Sequence, residues 1–188
     1  MPVDRMPPIP DGQMTPDQRE AVREIAAGPR GALIGPFIPA LRSPEFMRRL
    51  QRLGEYLRYE SALELRLREM AVLLVARQWS QPFEWDVHEP IAIRSGLAPE
   101  IATAIAEGRR PDRMQPDEAL LFDFYTELQR HQTVSDPTYA AAVAMWGEQA
   151  VVDLAGGIGY YAMLALLMNV ARTPVASGRP STLPTLPR

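Results

Sequence analysis

The 188 residues amount to about one domain, long enough to bury roughly two thirds of the unfolded surface. Hydrophobic residues make up 46% and charged residues 23% of the chain, and the net charge of −3 comes with no basic stripe, so a nucleic-acid footprint is excluded. There is no cysteine, which removes a disulfide framework, a thiol nucleophile and a Cys-based metal site.

Met1 to Pro8 has no apolar core and does not read as a signal peptide, so a cytoplasmic location is expected. Residues 1–14 are proline-rich and read as an extended arm on the surface. Thr15-Pro16-Asp17-Gln18 is a helix start, with Thr15 placed to cap and Pro16 in the first helical position. That helix runs to about Ala27. A loop from Arg30 to Pro39 follows, able to pass close to a ligand or simply to connect helices. Ser43-Pro44 opens a second helix, with Phe46, Leu50, Leu53 and Leu57 at helical spacing. Glu64 to Arg77 forms a third, ended by Trp79-Ser80-Gln81-Pro82. Pro82 starts a fourth that ends at Gly96, with Pro90 inside it.

Pro99 to Glu107 reads as a short helix and Pro116 to about His131 as a longer one carrying Leu120, Leu121, Phe124 and Leu128 on one face. Asp136-Pro137 begins another, to Trp146. Ala150 to Ala171 is nearly as long as a membrane span, but Asp153, Gly156, Gly157, Gly159 and Asn169 interrupt it, so a buried core or subunit-interface helix is expected in place of a membrane helix. Residues 173–188 are rich in Pro, Ser and Thr and read as disordered. No alternating strand pattern is present. The expected fold class is all-α, with a single domain over residues 15–172.

The chemistry concentrates in one stretch, Gln81-Pro82-Phe83-Glu84-Trp85-Asp86-Val87-His88, with Glu69 on the helix before it. Glu84 and His88 are four residues apart and share a helix face. Histidine suits acid–base work near neutral pH. Glu84 either orients His88 or donates a proton itself, and as the third helical residue after a Gln81 cap it also favours the helix start. Glu69 either tunes that pair or forms a salt bridge with Arg66 or Arg68. Trp79, Phe83 and Trp85 are candidate pocket walls or core residues. Arg94, with Arg68 and Arg77 as alternatives, is a candidate clamp for a substrate carboxylate. His131 is expected to meet the last carbonyls of its helix. Tyr160 and Tyr161 belong either to a subunit interface or to the pocket. Glu69, Glu84 and His88 also form a two-carboxylate, one-histidine set of the kind that can hold a metal.

Three segments carry a family resemblance: Leu67-Arg68-Glu69-Met70-Ala71-Val72-Leu73, then Phe83-Glu84-Trp85-Asp86-Val87-His88, then Ala92-Ile93-Arg94-Ser95-Gly96-Leu97. Together they resemble the carboxymuconolactone decarboxylase family, which includes a peroxidase branch of alkyl hydroperoxide reductase proteins. Pro116 to Leu128 and Ser135 to Ala144 are similar to the second half of decarboxylase-like members. In the peroxidase branch a glutamate precedes a Cys-x-x-Cys pair, and a histidine follows four residues after the second cysteine. The glutamate falls on Glu69, the histidine on His88, and the cysteine positions on Gln81 and Glu84. Without thiols the peroxidase cycle is impossible here.

The resemblance implies a bundle of seven or eight helices assembled as a trimer or hexamer, with no metal or other cofactor. It also implies a carboxy-lyase acting on a small carboxylated lactone or related acid. In that reading His88 is the general acid/base, Glu84 its partner or second acid, and Glu69 the group that tunes them. An isomerase, hydratase or lactone hydrolase would use the same residues. A non-catalytic oligomeric binding or stress-related protein is a further alternative, favoured if the three residues fail to meet in one pocket.

Overall fold

The computed structural model describes residues 3–175 and 180–185, and among them it contains eight α-helices and no strand. They are α1 (Pro16–Ala27), α2 (Phe37–Ala40), α3 (Pro44–Glu55), α4 (Leu65–Gln78), α5 (Pro82–Arg94), α6 (Pro99–Ala106), α7 (Pro116–His131) and α8 (Asp136–Ala171). The all-α expectation holds. Most starts follow local cap chemistry. Thr15 and Gln18 form a reciprocal capping box at α1, and proline lies at the start of α1, α3, α5, α6, α7 and α8, where its missing N–H costs nothing.

Helix α4 is the centre of the bundle. It is buried on nearly every side from Arg66 to Arg77, as an apolar helix with no polar face must be, and α5, α6, α7 and α8 pack around it. An ionic cluster ties α4 to α7: Arg66 Nη1 donates to Glu118 Oε1 at 2.6 Å and Arg66 Nη2 to Asp117 Oδ2 at 2.6 Å.

Two expectations change. The loop from Arg30 to Pro39 contains the short helix α2, whose Phe37, Pro39 and Ala40 are buried. On α3 the inward residues are Met47, Leu50, Gln51 and Gly54, while Phe46 and Leu53 are exposed. Gly54 is inward because a Cβ there would meet Tyr160 and Arg30, and Gln51 is buried with its Oε1 unpartnered among the described residues; a count of apolar side chains detects neither. The two helices expected after Asp136 are both present, the run Asp136–Ala171 being interrupted between them at Gly147, where φ is 81° and ψ 162°.

Between α3 and α4 the chain makes a π-helical turn, Tyr56–Glu60. Arg68 Nη1 donates to the Arg58 carbonyl at 3.0 Å, and Asp153 on α8 accepts from Tyr56 Oη at 3.0 Å and from the Ala62 N–H at 2.8 Å. The one charge inside the apolar second half of α8 therefore fixes this turn. Helix α8 has the length and hydropathy of a membrane-crossing helix, and 44% of its most apolar window is buried within the fold.

The arm expected over residues 1–14 runs along the surface: the Arg5 N–H donates to the Ala171 carbonyl at 2.8 Å, and Arg42 donates to the Pro7 carbonyl at 2.7 Å. Met1, Pro2, residues 176–179 and residues 186–188 lie outside the described residues. Disorder was expected over the whole tail, but residues 180–185 dock on the bundle. The indole of Trp85 donates to Thr182 Oγ1 at 3.0 Å, the Thr182 hydroxyl donates to Glu89 at 2.9 Å, and Arg77 donates to the Pro184 carbonyl at 2.6 Å. This segment has little to bury, yet it supplies the acceptors that an indole and a guanidinium need once buried.

Candidate active site

Helices α4 and α5 bring Glu69 and His88 together. Glu69 Oε2 lies 2.7 Å from His88 Nδ1, and both side chains are buried. Arg66 is already engaged by α7, which leaves Glu69 for the imidazole, so neither Arg66 nor Arg68 forms the alternative salt bridge. An ionised carboxylate only accepts, so Nδ1 carries the proton and Nε2 is the nitrogen left for chemistry. The ring is also set by an edge-to-face contact with Tyr161, centroids 5.1 Å apart.

Glu84 and His88 line one cavity of about 50 Å³ together with Arg30, Arg58, Phe83 and Tyr160. The orienting role belongs to Glu69, not to Glu84. The α5 start is capped by Gln81, whose side-chain oxygen accepts from the Phe83 N–H at 2.8 Å, and Glu84 falls in the first turn behind that cap, as expected. Both Glu84 carboxyl oxygens are buried without a hydrogen-bond partner among the described residues. Burial alone holds this carboxyl well above the usual carboxylate range, and it therefore keeps its proton where an exposed glutamate has lost it. Burial likewise pushes the Tyr160 phenol up to about 12, with Arg30 pulling the other way.

Of the candidate pocket walls, only Phe83 lines the cavity. Trp85 is fully buried in the core, with its indole turned to Thr182. Trp79 caps the end of α4, 37% exposed, and its carbonyl accepts from Asn169. Arg94 is exposed at the far end of α5, nearly two turns beyond His88 and on another face. Arg77 serves Ala106, Ser80 and Pro184, and Arg68 the Arg58 carbonyl. The cationic side of the cavity is instead Arg30, from the loop after α1, and Arg58, from the π-helical turn. Tyr160 and Tyr161 line it too. Their signal in the sequence was two adjacent polar rings inside an apolar helix. His131 is exposed at the end of α7, away from the site. No group of three His, Cys, Asp or Glu side chains among the described residues is placed to hold a metal ion.

The cavity opens beside a larger apolar groove of about 370 Å³ with which it shares Ile34, Phe83 and Val87. The Phe83 ring packs directly on Gly35, where φ is +55° and a Cβ would come within 2.5 Å of it. About 50 Å³ accommodates a few waters, so a larger ligand must displace Phe83 or extend past it into the groove.

The sequence model of the Carboxymuconolactone decarboxylase family matches residues 44–124. This segment belongs to that family. No curated protein and no solved structure matches the chain. The carboxymuconolactone decarboxylase segment spans α3 to most of α7 and contains Glu69, Glu84 and His88. Membership points to a decarboxylase-like or related function. Arg30, Tyr160 and Tyr161 lie outside the matched residues, as does the resemblance of Ser135 to Ala144.

Proposed function

We propose that the protein is a cofactor-free carboxy-lyase acting on a small carboxylated lactone or related acid. The observation that carries this reading is the pairing, in one cavity, of a buried and unpartnered Glu84, whose carboxyl burial holds well above the usual range, with a His88 held by Glu69. Decarboxylation breaks a carbon–carbon bond and leaves its electron pair on the substrate, where a neighbouring unsaturated carbonyl takes it up. The site must then offer donors to the developing oxyanion and deliver a proton to carbon. Glu84 and the imidazolium form of His88 are both able to deliver that proton, and Tyr160 is a hydroxyl donor at the same cavity. The convergence of these groups supports catalysis over a purely binding role.

The test is CO2 release from γ-carboxymuconolactone by purified protein. Release is expected, with one CO2 per substrate consumed. Consumption without CO2 would replace the lyase by an isomerase, hydratase or lactone hydrolase using the same acid–base pair, and no consumption would reject this substrate.

We also propose a homo-oligomer, a trimer or hexamer. The outer face of α8 exposes Val152, Leu166 and Val170 at 69%, 45% and 55%, interleaved with exposed Ala155, Gly156 and Gly159, a flat apolar stripe suited to close helix contact. Light scattering at micromolar concentration is expected to give three or six chain masses. A single chain mass would rule the assembly out.

A further inference from the structure

The lining of the cavity holds donors with nothing to donate to. Arg30 Nε and Nη2 are buried and make no hydrogen bond, and the Tyr160 hydroxyl, on a residue only 3% exposed, has no partner either. Nε and Nη2 form one edge of the guanidinium, the edge that grips a carboxylate with two parallel hydrogen bonds. The rest of Arg30 is fixed, with Cζ 4.6 Å from the centroid of the Phe37 ring. Gly54 on α3 is what allows the cluster to form: a Cβ there would collide with both the Tyr160 hydroxyl and Arg30 Nη2. A second guanidinium, Arg58, lines the same cavity, and neither arginine forms an ion pair among the described residues. Glu55, the neighbouring carboxylate, is turned onto Gly28 and makes no bond to Arg30. Glu84 retains its proton and so does not neutralise the arginines.

A buried, open guanidinium edge and a buried free hydroxyl are costly to assemble without an anion to receive them. We propose that Arg30 and Tyr160 form the anchor for a substrate carboxylate, with Arg58 reinforcing the charge, so that the ligand is a small organic acid bound through a carboxylate other than the one it would lose. Its apolar body lies toward Phe83 and its reacting carbon toward Glu84 and His88. The anchor comes from α8 and from the loop after α1, both outside the family-matched residues. The selectivity of this chain is therefore built on parts that the family match does not cover, and Arg94 has no part in it.

This inference rests on the cavity being a substrate site, and it is tested by binding, without turnover. Crotonate and crotonamide have the same shape and differ in charge. In NMR titrations the wild-type protein is expected to bind crotonate at least about tenfold more tightly than the amide, the worth of one charge-assisted hydrogen bond. Arg30→Gln is expected to erase that preference, Tyr160→Phe to reduce it severalfold, and Arg94→Gln and His88→Asn to leave it intact. The unfolding temperature of Arg30→Gln should stay level or rise, since the native cation has no partner to lose. Equal binding of acid and amide, failure of crotonate to bind, or a preference that survives Arg30→Gln would overturn the anchor. So would a marked loss of stability in that variant, which would show Arg30 serving the fold through Glu55. If the anchor holds while CO2 release fails, the lyase reading falls and the anion site stands.

Discussion

Replacing His88 by alanine is expected to lower turnover by about 10²-fold or more, the usual worth of a positioned acid–base group. The reason lies in Glu69. A buried carboxylate 2.7 Å from Nδ1 fixes the tautomer and presents Nε2 as the exchanging nitrogen, and it stabilises the imidazolium that forms when Nε2 takes a proton. Alanine removes this nitrogen but also leaves Glu69 buried without its partner, at a cost of about 1–3 kcal/mol. His88→Asn separates the two effects. Its amide N–H replaces the Nδ1 donor to Glu69 while nothing replaces Nε2. Both variants should lose turnover alike, and only His88→Ala should lose stability, read as kcat and as the urea midpoint of each purified protein. Turnover retained by His88→Asn would remove His88 from the chemistry and leave it a structural partner of Glu69.

The parts of the molecule that sequence makes visible are those governed by neighbours along the chain. Thr15-Pro16, Gln81-Pro82 and Ser135-Asp136-Pro137 announce helix starts through side chains that meet backbone groups two or three residues away. Glu84 and His88 fall on one face by helical period alone. Legibility ends where a partner comes from far along the chain. Whether Glu69 pairs with Arg66 or with His88 is decided by Asp117 and Glu118, about fifty residues on, which take Arg66 first. Glu84 is a helix-start residue behind the Gln81 cap, as its position announces, but nothing local announces that its carboxyl is buried without a partner. Arg94 is the arginine nearest the motif on its C-terminal side, yet Arg30 and Arg58 reach the cavity, one on a loop that passes Gly54 and the other on a turn pinned by Asp153. Trp85 reads as a pocket wall because its neighbours are functional, but one step along a helix turns a side chain by about 100°, and here that step leads into the core. The tail segment at Thr182 has no local pattern, since its partners, Trp85, Glu89 and Arg77, lie about a hundred residues away along the chain.

Glu84→Gln is expected to lose about 10²-fold in turnover and to change the pH dependence of stability in a direction set by burial. The carboxyl of Glu84 is held well above the ordinary glutamate range by desolvation, with no hydrogen bond to offset it. In the unfolded chain the same group titrates near its ordinary value. Below that value both states bind the proton and the group's contribution to stability is complete. As pH rises between the two values the unfolded chain gives up its proton while the native protein keeps it, so native stability falls. Above the raised native value the contribution is gone and the slope vanishes. Glutamine has nearly the same shape and no titration, so this component should be absent from Glu84→Gln. Urea midpoints measured from about pH 4 to about pH 8 should therefore converge at the acid end and separate in favour of the variant as pH rises. The same proton sets the rate. If Glu84 is the acid, wild-type turnover declines on the alkaline side as pH passes through its raised value, and a variant with no proton to lose lacks that component at its lower level. Parallel stability curves would mean that the Glu84 carboxylate is solvated or paired in solution, and the proton donor would then have to be His88 alone.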